Sequence, residues 1–83
     1  MDHIFDKKRC EILAKNIKQF RTEQNITRSK LANYVGVTEL DIVRYEYCIS
    51  EPPATVLFNI AEILNINLYR LFMDDCEWFD YCL

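Results

Sequence analysis

A single glycine, Gly36, is all that this chain of 83 residues contains, and its two prolines stand side by side at Pro52 and Pro53. Tight strand reversals draw heavily on glycine, because several turn types need a backbone that only glycine adopts without penalty. So little turn material argues against a multi-stranded sheet. A hydrophobic content of 51% argues equally against a disordered chain. An all-α fold is the expectation. A domain this small buries only about 60% of its unfolded surface, so one compact core is all it can build.

The apolar residues fall at helical spacing. Between Lys8 and Gln24, Ile12, Leu13, Ile17 and Phe20 share a face while Lys15, Lys18 and Gln19 lie elsewhere. Asn25 suits a left-handed helix end, and Thr27 suits the N-cap of a second helix that buries Leu31, Ala32 and Val35. Gly36 ends that helix, since it takes a positive φ with no Cβ to clash. Thr38 then caps a third helix with Asp41 three residues on, a weaker relative of the capping box, and Val37, Ile42 and Tyr45 form its inner side up to Glu46. The proline pair forces an irregular stretch. A fourth helix follows from about Ala54 to Leu64, with Leu57, Ile60, Ala61 and Leu64 inward, and Asn67 caps a fifth over "LYRLF" that buries Leu68, Leu71 and Phe72.

Two short helices joined by a glycine-centred turn, with Ala32 as the small facing residue, make a helix-turn-helix over residues 27–46. The surrounding residues widen the match: Arg21, Leu31–Ala32, Gly36–Val37, a hydroxyl at Thr38, Ile42, Glu46, Pro52, and Ala61 with Leu64. Residues 13–72 resemble a Cro/lambda-repressor-like (XRE-type) helix-turn-helix domain. The expected architecture is a five-helix domain of that type over residues 1–72, followed by a short acidic and aromatic extension over 73–83 that resembles no motif. The resemblance also implies a third helix that enters the major groove, a second helix whose start at Arg28 touches the DNA backbone, and a structural ion pair between Arg21 and Glu46. The chain departs from the family pattern at Arg28, where glutamine is usual, at Cys48, where a loop glycine is common, and at Glu39 and Asp41, which place acids on the groove-facing helix.

The candidate DNA-binding residues are Arg28, Lys30, Thr38, Glu39, Leu40, Val43 and Arg44. Arg44 suits a bidentate contact to guanine or a clamp on phosphate, Glu39 can accept from cytosine N4, and Leu40 can pack on a thymine methyl. Both acids also sit where the positive end of the helix dipole favours them, a role that suffices for Asp41. Arg28 and Lys30 are the candidates for the phosphate rim, with Lys15 and Lys18 as weaker ones. Residues 1–30 carry eight basic residues against four acids, whereas the last eleven residues carry four acids and no base. Acidity is therefore concentrated in the tail, which is expected to lie away from a polyanion. The aromatics Trp78, Phe79 and Tyr81, with Phe58 and Ile63, are candidates for a homodimer interface.

No run approaches the roughly 18 apolar residues of a membrane span, and the N-terminus mixes charge into its apolar residues where a signal peptide has an unbroken stretch. A soluble cytoplasmic protein is expected. The four cysteines (Cys10, Cys48, Cys76, Cys82) form no CxxC pair, and with the lone His3 they offer no zinc spacing. Reduced thiols, no metal and no cofactor are expected. Nothing pairs His3 with a nucleophile and no phosphate-binding glycine loop is present, which argues against an enzyme. The function expected is a sequence-specific DNA-binding transcriptional regulator, a repressor binding a palindromic operator in double-stranded DNA as a dimer. The alternative is a protein-interaction module on the same fold, an antirepressor or inhibitor with a protein partner.

Overall fold

The computed structural model describes residues 7–82 and is all-helical there: α1 (Lys7–Glu23), α2 (Arg28–Val35), α3 (Glu39–Glu46), α4 (Ala54–Leu64), α5 (Leu68–Leu71) and α6 (Asp75–Cys82). His3 and the rest of the first six residues lie outside the described part, as does Leu83. No helix among the described residues is long and apolar enough to cross a membrane.

One core joins the first five helices. Leu13 and Ile17 of α1, Leu31, Ala32 and Val35 of α2, Ile42 and Tyr45 of α3, Leu57, Ile60, Ala61 and Leu64 of α4, and Leu71 of α5 are all buried in it. Val37, Leu68 and Phe72 are partly buried against its edge. The helices can turn this sharply because four of them end in the same way. Asn25, Gly36, Cys48 and Asn65 each take a left-handed conformation, with φ of 58°, 79°, 60° and 56°. In each case the next residue's amide donates back to the carbonyl five positions earlier: Ile26 to Arg21, Val37 to Ala32, Ile49 to Arg44, and Ile66 to Ala61, at 2.9 to 3.0 Å. These bonds satisfy carbonyls that a helix end otherwise leaves open. A Cβ added to Gly36 would meet nothing within 4 Å, so glycine is there for its φ and not for space.

Asn16 interrupts the apolar face of α1, yet only 3% of it is exposed. Its side-chain nitrogen lies 3.2, 3.0 and 2.8 Å from the carbonyls of Arg70, Leu71 and Met73. It therefore closes the end of the four-residue α5, a helix too short to hold itself.

The structure adds a sixth helix to the five expected, within the stretch read as an extension. Asp74 starts it. The Glu77 amide donates to Asp74 Oδ1 at 2.8 Å and the Asp74 amide donates to Glu77 Oε1 at 3.3 Å, a reciprocal cap. The segment is then fixed at its start by Arg70 to Asp75 at 2.6 Å and by Arg9 to Glu77 at 3.0 Å. The expectation of four reduced thiols also needs correction. Cys10 and Cys48 form a disulfide, their Cα atoms 5.8 Å apart and 38 positions apart in sequence, while Cys76 and Cys82 are free and exposed. The fold brings α1 beside the end of α3, and that Cα separation is within bridging range. Sequence spacing carries no trace of such a pairing.

Candidate nucleic-acid interface

The second helix of the motif is set by both of its ends. At its start, the Thr38 hydroxyl accepts from the Asp41 amide and the Asp41 carboxylate accepts from the Thr38 amide, each at 3.0 Å, so the capping box is complete. The Thr38 amide holds the Asp41 carboxyl below the usual carboxylate range, with the Arg44 charge contributing. A carboxyl lowered in the folded state stabilises above its unfolded pKa and loses that contribution as pH falls through the folded value. Thermal melts between neutral pH and pH 2 are therefore expected to show a loss that begins near the ordinary Asp range, about pH 4. Asp41→Asn should remove part of that loss, and an unchanged pH profile in the variant would rule out this cap as a contributor.

At its other end, α3 is held by charge. Glu46 has a fully buried side chain, and its carboxylate accepts from Arg21 Nε at 2.6 Å and from Arg28 Nε at 2.8 Å. Arg21 also reaches the Ile26 carbonyl at 2.8 Å. One carboxylate thus joins α1, α2 and α3. The expected Arg21 and Glu46 pairing is present in the structure, and a second arginine, Arg28, shares the same carboxylate. Arg28 has 29% of its side chain exposed, and its bond to Glu46 raises its pKa above the ordinary arginine value. Its guanidinium also lies 5.9 Å from the Tyr47 ring centre, with Lys18 Nζ 5.6 Å from the same ring. Cations held near an aromatic face are attracted by the ring's quadrupole.

Between these ends, Glu39, Leu40 and Arg44 are exposed and Val43 is half-buried. Leu40 is 54% exposed. Arg44 approaches Asp41 only at 3.7 Å, a loose exposed pair of small energetic weight. Lys30 is exposed and lies 5.9 Å from the Tyr34 ring centre. Thr38 serves as the N-cap, so its hydroxyl is already engaged.

The residues expected at a subunit interface divide into two sets. Ile63 packs against the core, and Trp78 is half-buried, with its ring 5.4 Å from Tyr81 and 5.8 Å from the Arg70 guanidinium. Phe58, Phe79 and Tyr81 are exposed by 59%, 65% and 56%.

A family model described as helix-turn-helix matches residues 17–71. The chain belongs to that family, the XRE type. Within it, an uncharacterized HTH-type transcriptional regulator of Archaeoglobus fulgidus is 34% identical over 61 residues, 74% of this chain and 86% of that protein. YqaE of Bacillus subtilis, also named as an uncharacterized HTH-type transcriptional regulator, is 30% identical over 57 residues, 69% of this chain but only 49% of its own length. Among solved structures, a hypothetical transcription factor from Neisseria, NHTF, superposes with a TM-score of 0.80 at 18% identity, covering 99% of this chain and 93% of that one. The N-terminal DNA-binding domain of SinR from Bacillus subtilis gives 0.71 at 23%, covering 78% and 96%. At such identities the superpositions speak for the fold.

Proposed function

We propose that this helix-turn-helix protein is a DNA-binding transcriptional regulator that reads a specific site through α3 and acts as a homodimeric repressor on a palindromic operator. The observation that carries this reading is the placing of α3. Its inner side is locked into the core by Ile42 and Tyr45, its end is fixed by the buried Glu46, and its outer side presents Glu39, Leu40 and Arg44 to solvent. A helix fixed at both ends with solvent-facing side chains on one face is what a major groove accepts. Arg28 and Lys30 at the start of α2 supply positive charge for the flanking phosphates. Occupancy of a promoter by such a domain excludes polymerase without any catalysis, and the setting is the cytoplasm.

Selection of genomic fragments by the purified protein, repeated at two salt concentrations, tests this directly. A regulator enriches a palindrome-like site and loses affinity steeply as salt rises, because phosphate contacts release bound counterions. A protein-interaction module enriches nothing. Arg44→Ala is expected to leave the domain folded, since the side chain is exposed, while operator binding weakens by about 1 to 3 kcal/mol with relaxed preference at one base pair. Undiminished affinity in the folded variant removes Arg44 from the readout.

A further inference from the structure

We propose that the Cys10–Cys48 bridge is a reversible redox brace on α3, so that the oxidised domain binds its operator tightly and reduction by a dithiol weakens binding. This rests on the DNA-binding reading above and names a regulation of that same helix.

Three observations converge on the bridge. The first is its placement. Cys48 is the second residue after Glu46, and Cys10 lies near the start of α1, so the loop that the bridge closes holds the remainder of α1 with all of α2 and α3. The cross-link therefore acts on the helix-turn-helix as a unit. Beyond it, the end of α3 is joined to α1 by the Arg21–Glu46 ion pair. The second observation is conformational. Among the described residues with positive φ, Gly36, Asn25 and Asn65 are of types that tolerate the left-handed region, whereas Cys48 at 60° is not. A cysteine there bears a Cβ penalty without the local hydrogen bonding that helps asparagine, and its sulfur is the group that sets it apart. The third is access. Cys10 is buried and Cys48 is partly exposed, so Cys48 is the more accessible end of the pair.

The chemistry balances with a dithiol as co-reactant. One thiolate of the reductant attacks Cys48 Sγ, the S–S bond breaks, and Cys10 leaves as a thiolate that takes up a proton. The reductant's second thiolate then attacks the mixed disulfide, closing a disulfide of its own and releasing Cys48 as a thiolate that is protonated in turn. Two electrons and two protons end on the cysteine pair, and the dithiol is oxidised. A low-molecular-weight disulfide reverses the exchange. Cys76 and Cys82 stand outside the closed loop, on α6.

The test uses the full chain, oxidised or treated with dithiothreitol, with thiol counting to verify each state. Operator affinity is read by fluorescence anisotropy on the selected fragment, and stability by thermal melting. Reduction is expected to lower the melting midpoint by on the order of 10 to 20 °C and operator affinity by roughly tenfold. Cys10→Ser and Cys48→Asn, the latter keeping a residue suited to positive φ, should both match the reduced protein and ignore the reagent. Cys76→Ser with Cys82→Ser should keep the full response. Equal affinity and equal midpoints in the two states overturn the brace, as does a response that survives in Cys10→Ser. If neither state binds DNA while the midpoint still shifts, the brace stands as a structural element and its regulation of DNA binding falls with that function.

Discussion

Glu46→Ala is expected to destabilise the domain by about 3 to 5 kcal/mol, because it leaves the Arg21 guanidinium buried without its counter-charge. The Glu46 side chain is fully buried and that of Arg21 is 9% exposed, so neither resembles the exposed pairs worth about 0 to 1 kcal/mol. Arg28, with more of its side chain in solvent, can turn outward and lose less. Arg21→Ala should cost a comparable amount, since it strands the carboxylate instead. The combined replacement of both by leucine should be milder than either single loss, because no buried charge is left unpaired. Urea unfolding of the four proteins checks this, and an Arg21→Ala loss no larger than that of an ordinary surface substitution, about 0.5 kcal/mol, would remove the ion pair as an anchor. On the proposed DNA-binding reading, a loosened end of α3 would let Leu40 and Arg44 wander relative to the groove, so operator affinity should fall even at temperatures where the variant remains folded.

Truncation after Phe72 is the second large effect. The cut deletes Met73, whose carbonyl Asn16 contacts, together with the acidic partners of Arg9 and Arg70 and the half-buried Trp78. Burying a large apolar side chain is worth about 1.5 to 3 kcal/mol when complete, so losing two partly buried ones should cost about 2 to 4 kcal/mol. On the proposal that Phe79 and Tyr81 meet a second subunit, the shortened protein should also run as a monomer in analytical ultracentrifugation. Its operator affinity should drop although no basic residue has gone. A truncated protein that stays dimeric, or that binds operator better once four acids are removed, would make the tail an electrostatic brake and end the dimer assignment.

Much of this was legible because the deciding signals are local. Thr27, Thr38 and Asn67 cap the helices they precede, and Leu57, Ile60, Ala61 and Leu64 line the inner face of α4, since caps and periodicity act within a turn or two of chain. The α6 start was equally local: Asp74 and Glu77 have capping-box spacing, a signal outweighed by the tail's charge and aromatic content. Asn16 left a weaker trace, as a polar residue three positions from Leu13 and next to Ile17 on the core side of α1. Arg28 turning toward Glu46, and Cys10 meeting Cys48, had no such trace. Both depend on how three helices pack, and the partners, 18 and 38 positions apart, lie on different elements, where no pattern within one helix reaches.

The left-handed helix ends have a further consequence, and it lies in the denatured chain. Glycine has the most backbone freedom to lose on folding, and replacing one where the native conformation permits gains about 0.4 to 1 kcal/mol, chiefly by thinning the unfolded ensemble. By closing α1 and α4 with Asn25 and Asn65, this chain makes two of the four left-handed ends among the described residues without adding that freedom, and Cys48 makes a third. Pro52 and Pro53 restrict the ensemble again where α3 gives way to α4. A domain whose small core limits the stability available from burial therefore starts from fewer competing conformations, and part of its stability is invisible in any contact of the native state.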